Sequence, residues 1–201
     1  MAHHILRPPI SEEQVRALHV NDTVTLEGTL YGIRDANLIE LFDQGRKTRF
    51  DLHGAAAIHT APNVKKVPKS AQHPTGYAPV CVGTTTSARM ERFTRPFLEL
   101  GARIVVGKGG LGKGSLEAFS SLGGAYLAII GGTAALETTW IEAIEDVDLD
   151  DLNPESIWKF RVRGFGPLLV AMDSHGASLY DAVQQAARSR RAQTLSRLGV
   201  K

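Results

Sequence analysis

Two clusters of small, hydroxyl-bearing and cationic residues carry the chemistry of this chain. The first is Gly83-Thr84-Thr85-Thr86-Ser87-Ala88-Arg89-Met90, after the apolar run 77–82. The second is Gly107-Lys108-Gly109-Gly110-Leu111-Gly112, after 102–106. Each reads as strand, small-residue turn, helix, an order that aims backbone N–H groups and a helix N-terminus at one region of space. Four hydroxyls (Thr84, Thr85, Thr86, Ser87), the Arg89 guanidinium and the Lys108 ammonium join them. The combination suits an anionic ligand, a carboxylate or a phosphate. One hydroxyl is enough for a helix N-cap. Three threonines and a serine with an arginine close behind exceed that need.

The second cluster also approaches two phosphate-binding patterns. Read as G-x-x-x-x-G-K-[ST], it ends in Lys113-Gly114, and glycine lacks the hydroxyl that would hold magnesium. Read as G-x-G-x-x-G on Gly107, Gly109 and Gly112, it lacks the acid after the next strand, which ends in Gly131-Gly132. A glycine-rich turn without a ligand is the third reading. Two lysines in so tight a turn weigh against it.

The elements that position these loops follow from periodicity and punctuation. Ser11-Glu12-Glu13-Gln14 is a capping box opening a helix to about His19. The alternation over 23–30 predicts a strand, 34–42 a helix and 54–60 a second strand. Residues 61–76, with Pro62, Pro68, Pro74 and three lysines, predict an exposed, mobile loop. Strands are expected over 77–82, 103–106 and 125–130, alternating with helices over 86–100, 115–122 and 134–138. Strands over 158–163 and 167–172, a turn at Asp173-Ser174-His175-Gly176 and a helix over 178–198 complete the chain. This alternation implies an α/β fold, a largely parallel sheet with right-handed crossovers, flanking helices and a β-rich N-terminal part. Residues 1–201 are expected to form a single domain. The last helix is basic after Asp181, with Arg188, Arg190, Arg191, Arg197 and Lys201, and reads as a solvated end that complements the helix dipole.

Composition narrows the function classes. The 201 residues are 43% hydrophobic and 22% charged, as in an ordinary globular protein. A net charge of +2 does not point to nucleic acid. No apolar run approaches the ~20 residues that span a bilayer, and the first residues lack the apolar core of a signal peptide. The expected location is the cytoplasm, with no membrane partner. Cys81 is the only cysteine. An intramolecular disulfide and a multi-cysteine metal site are therefore excluded within this chain, and any iron–sulfur cluster must take its thiolates from another polypeptide.

At the two loops the chain resembles a known family, the β subunit of the iron–sulfur hydro-lyases. These are L(+)-tartrate dehydratase and class I fumarate hydratase, the latter carrying the unit as a C-terminal domain when one-chain. The similarity runs from Ile10-Ser11-Glu12-Glu13 and Gly28-Thr29-Leu30-Tyr31 through Arg34-Asp35-Ala36 and Phe50-Asp51-Leu52-His53-Gly54. It includes both glycine loops and Gly131-Gly132-Thr133-Ala134-Ala135, then 158–162, Phe165-Gly166-Pro167-Leu168 and Asp173-Ser174-His175-Gly176. The stretch G-x-T-T-S-x-R-M followed by G-K-G-G is its most specific part.

The resemblance implies a swivelling β/β/α domain. It implies a partner α subunit that holds a [4Fe–4S] cluster with one open iron site, in an α2β2-type hetero-oligomer. The implied reaction is reversible dehydration of a small dicarboxylic 2-hydroxy acid: L-tartrate to oxaloacetate, or malate to fumarate. Residue by residue, it makes Thr85 the proton-transfer base and Lys108 a cation lowering the cost of negative charge. It makes Arg34 and Arg89 carboxylate clamps, and Thr86 and Gly83 complete the implied substrate-binding set. No residue of this chain is implied as a metal ligand. The chain departs from the family where Asn37-Leu38-Ile39-Glu40 replaces a His-Lys-Arg element after Arg34-Asp35-Ala36, and where Thr84 replaces a proline. His59, His73 and His175 read as structural or exposed rather than as substitutes. The departures keep a non-catalytic assembly or regulatory subunit open as a second class, and the glycine loop keeps a nucleotide-binding module as a third.

Overall fold

The computed structural model describes residues 1–199. In chain order the first elements are β1 (His3–Leu6), α1 (Glu12–Arg16), β2 (Thr23–Ile33), α2 (Asp35–Phe42) and β3 (Ala56–His59). There follow β4 (Asn63–Lys66), β5 (Tyr77–Cys81), a 3-10 segment (Ser87–Phe93), α3 (Thr94–Glu99), β6 (Ile104–Gly107) and α4 (Lys113–Leu122). The last are β7 (Ala125–Ala128), α5 (Ala134–Thr139), β8 (Ile141–Asp148), a 3-10 turn (Asp150–Leu152), β9 (Ile157–Met172) and α6 (Leu179–Arg197).

A strand that is apolar on both faces must be covered on both. β3 and β6 are buried at every residue, and their alternate side chains enter two different cores. Ala56, Ile58, Ile104, Val106, Ala125 and Leu127 face one core with Leu26, Leu30, Phe160, Phe165 and Val170. Ala57, Val105 and Tyr126 face a second core, under Leu38, Phe93, Phe97, Ala118 and Phe119 of the helical segments. Barrel closure explains the two-sided burial. β2, β3, β6 and β7 pair in parallel in that order, and β9 pairs antiparallel with both β7 and β2. The first core is the lumen of this five-stranded barrel, and the second lies between its wall and the helices. β1 extends the sheet beside β2, and β8 extends it beside β9.

The expected α/β fold with a mostly parallel sheet is present, with four differences of detail. Residues 61–76 contain β4, which pairs antiparallel with β5 as a two-stranded ribbon. The expected helix over 86–100 divides into the 3-10 segment and α3. Pro96 has no N–H to continue an α-helix through Arg92, and it fits instead in the first turn of α3. The two expected strands over 158–172 are one bent strand, β9. β8 is a strand that propensity hides, because four of its eight residues are acids. Cations hold those acids: Lys159 with Glu145 and Arg161 with Glu142 across the strand pair, and Arg49, from the connection between α2 and β3, with Asp146. Lys201, counted in the basic C-terminal stretch, lies outside the described residues. No described helix is long and apolar enough to cross a membrane.

Phe160 is fully buried in the barrel lumen. Phe160→Ala is expected to lower unfolding free energy by about 3–5 kcal/mol, read from urea denaturation with an unchanged slope.

Candidate functional site

The parallel strands deliver their following loops to one end of the barrel, where ligands bind in open α/β sheets. β3 and β6 pair from Ala56 to Ile58 and then part. The segment Thr84–Ser87 fills the gap. Thr84 bridges Thr60 in antiparallel sense, and Thr86 bridges Lys108 in parallel sense. The Thr85 amide donates to the His59 carbonyl at 2.8 Å, and the Ser87 amide donates to the Lys108 carbonyl at 2.9 Å. The Thr60 hydroxyl donates to the Gly83 carbonyl at 2.7 Å. The two clusters recognised in the sequence are therefore tied together by backbone hydrogen bonds.

Beneath this segment lies a buried polar knot. The Ser87 hydroxyl is 2.9 Å from His59 Nδ1 and receives the Tyr126 hydroxyl at 3.0 Å. A Cβ on Gly107 would lie 1.9 Å from Ser87 Oγ, so only glycine lets β6 pass. Burial lowers the His59 pKa to about 4, against the opposing field of Asp35, and the imidazole is neutral at pH 7. Burial likewise pushes the Tyr126 phenol up, keeping it a neutral donor.

On the surface of the same region, Arg89 Nη2 donates to Thr85 Oγ1 at 2.9 Å and lies 3.1 Å from Asp35 Oδ2. Arg34 Nε lies 3.3 Å from the same Asp35 oxygen and 3.3 Å from Glu155 Oε1. Asp35 thus joins the two arginines into one cluster with Thr85. Lys108 is half-buried and follows β6 directly. Gly83 packs against α5, where a Cβ would meet Ala134 Cβ at 2.6 Å, and Thr86 is exposed. Thr85, Arg89 and Arg34 are brought together, Lys108 is tied to the same segment through its backbone, and Gly83 serves close packing in this arrangement.

The second loop does not keep its amides free for phosphate. The Gly112 and Ser115 amides donate to the Glu91 carboxylate at 2.6 and 2.9 Å, and the Ser115 hydroxyl donates to it at 2.7 Å. Glu91 therefore caps α4 from another segment, and an anion of this chain already occupies the helix N-terminus. The Tyr180 ring covers Gly110. A cavity of about 510 Å3 lined by Leu41, Phe42, Arg46, Thr48 and Phe50 lies apart, and none of the candidate residues lines it.

Residues 3–183 match the family model described as the fumarase C-terminus. The chain belongs to this family. An L(+)-tartrate dehydratase subunit beta of Escherichia coli K12 is 39% identical over 177 residues, covering 87% of this chain and 85% of that protein. A Methanocaldococcus jannaschii protein named "Putative L(+)-tartrate dehydratase subunit beta" is 39% identical over 182 residues, covering 88% of this chain and 90% of its own. A Geobacillus stearothermophilus protein named "Putative fumarate hydratase class I" is 38% identical over 182 residues, covering 90% of this chain and 34% of its own length. Membership of the fumarase C-terminus family supports a hydro-lyase β subunit. The matched segment contains both loops and every barrel strand.

The roles of Asp35 and Glu91 escaped the sequence reading, as did the knot that joins His59, there read as structural or exposed, to Ser87 and Tyr126. A signal for Glu91 was present: Gly112 and Lys113 open a helix with no side chain able to cap it. His175 stacks on His19 at 4.4 Å and bonds the Arg16 carbonyl, and His73 Nδ1 is buried without a partner among the described residues.

His59 carries a testable pH dependence. Its folded pKa lies below the ordinary value of 6.5, so the unfolded chain takes up the proton first as pH falls. The associated stability is present above pH 6.5 and is lost toward pH 4, by about 3 kcal/mol. Urea midpoints of wild type and His59→Gln are expected to converge over that window. A constant difference between them contradicts the assignment.

Proposed function

We propose that this chain is the β subunit of a heteromeric iron–sulfur hydro-lyase that dehydrates a small dicarboxylic 2-hydroxy acid, of the tartrate or malate type. The observation that carries the reading is the cluster of Thr85, Arg89 and Arg34 on the Thr84–Ser87 segment, to which the Lys108 backbone is tied. The names of the relatives support the reaction class and the subunit role.

The chain's own residues do not fit a cluster. Cys81 is its single cysteine and is exposed, and among the described residues no three His, Cys, Asp or Glu side chains converge. The [4Fe–4S] cluster of the proposal therefore belongs to a partner α subunit, in an α2β2-type assembly.

Dehydration takes a proton from one carbon and hydroxide from its neighbour. Thr85 Oγ1 is the proposed acceptor of the carbon-bound proton. A threonine alkoxide is costly in water, and donation from a guanidinium at 2.9 Å favours that form. Asp35 holds the arginine in place for this donation. The described contacts engage Nε of Arg34 and Nη2 of Arg89. The remaining guanidinium edges are assigned to the two substrate carboxylates, for which the bidentate fork is suited. Lys108 is assigned to the negative charge that develops as the proton leaves.

The nucleotide-binding reading loses ground to Glu91, which takes the amides a phosphate would need.

The test is steady-state turnover of the assembled complex. Thr85→Ala is expected to lower kcat roughly 100- to 10,000-fold with little change in KM. Arg34→Ala is expected to raise KM roughly 10- to 100-fold. Unchanged turnover in both Thr85→Ala and Lys108→Ala, with assembly intact, overturns the site.

A further inference from the structure

Glu137 is 1% exposed in α5, and the chemistry proposed above leaves it unused. Its Oε1 lies 2.6 Å from the Thr133 hydroxyl. Its Oε2 is buried with no hydrogen-bond partner among the described residues. A buried carboxylate oxygen left unpaired is costly. The Thr133 hydroxyl also lies 2.5 Å from the Ile130 carbonyl. One hydroxyl proton cannot serve both contacts. The carboxylate is left short of a donor, which a nearby cation can supply.

Two influences compete at this carboxyl. Burial pushes its pKa up. The Thr133 hydroxyl, the Thr84 amide and the Lys108 ammonium oppose that shift, and Lys108 is the charged group whose field reaches it. The lysine ion pairs among the described residues are those of Lys113 and Lys159, so Lys108 is in none. Its stem crosses Gly131. A Cβ there would lie 2.9 Å from Lys108 Cδ and 3.6 Å from Nζ. The turn 131–133 that admits the stem also leads into the helix bearing Glu137.

We propose that Glu137 is a positioning residue that holds the Lys108 ammonium across Gly131, beside the segment carrying Thr85. The inference rests on the reading of Lys108 as part of the substrate site. Ionised, Glu137 is the counter-charge of Lys108.

The first test follows the Glu137 side-chain carboxyl by 13C NMR through a pH titration of the full chain. Lys108→Met removes the cation that favours the carboxylate, so the midpoint is expected to rise. An unmoved midpoint overturns the coupling. The second test is turnover of the assembled enzyme. Glu137→Gln keeps the size of the side chain and removes its charge, and kcat is expected to fall roughly 10- to 100-fold with KM little changed. Gly131→Ala should give the same split with Glu137 intact, because its methyl displaces the flexible lysine stem. Unchanged kcat in both variants overturns the positioning role. A wild-type complex with no turnover overturns the functional reading alone, and the NMR midpoint then decides the Glu137–Lys108 coupling by itself.

Discussion

The candidate site depends on the parting of β3 and β6 and on the segment that fills the gap. Two strands that separate at a barrel end expose unpaired backbone groups, which must find partners. Thr84–Ser87 supplies them, with the Thr85 amide on the His59 carbonyl and the Ser87 amide on the Lys108 carbonyl. Thr85 and Lys108 belong to loops separated by an entire helical crossover, yet they are held in one backbone ladder. Precision at the site is thus a property of the sheet rather than of flexible loops.

The charges around this ladder divide by depth. Glu91 satisfies the N-terminus of α4, and His59 remains neutral against Ser87, so the buried layer is closed and uncharged on the cationic side. The cations lie above it. Arg34 and Arg89 share Asp35, which fixes their position while leaving donor edges to an incoming anion. An exposed pair of this kind contributes little to stability. Its value is the orientation of the two guanidinium groups rather than the stability of the fold.

The lumen-facing and helix-facing residues of β3, β6 and β7 were legible as apolar runs, and the two glycine loops were legible by composition. Barrel closure was not. The antiparallel pairing of β9 with both β2 and β7 depends on non-local contacts that no local pattern announces. β8 stayed hidden because its acids are explained only by Arg49, Lys159 and Arg161 from elsewhere in the chain. Among the candidate residues, Thr85, Arg89 and Lys108 stood out by type and place, and Arg34 only through the family resemblance. The connection of the two arginines through Asp35 was not legible, since an acid beside an arginine in sequence looks like an ordinary surface pair. Glu137 was invisible for a similar reason: a glutamate in a short helix reads as solvated until the fold buries it.

The central claim is that this surface is half of a hydro-lyase site completed by a cluster-bearing partner. Its most direct test is anaerobic co-purification of the chain with its native partner, followed by a turnover assay on L-tartrate, L-malate and fumarate. The expected result is a complex that contains iron and sulfide and converts one of them, while the isolated chain converts none. An iron-free assembly, or a cluster-bearing complex inactive on all three and equally inactive toward other dicarboxylic 2-hydroxy acids, contradicts it.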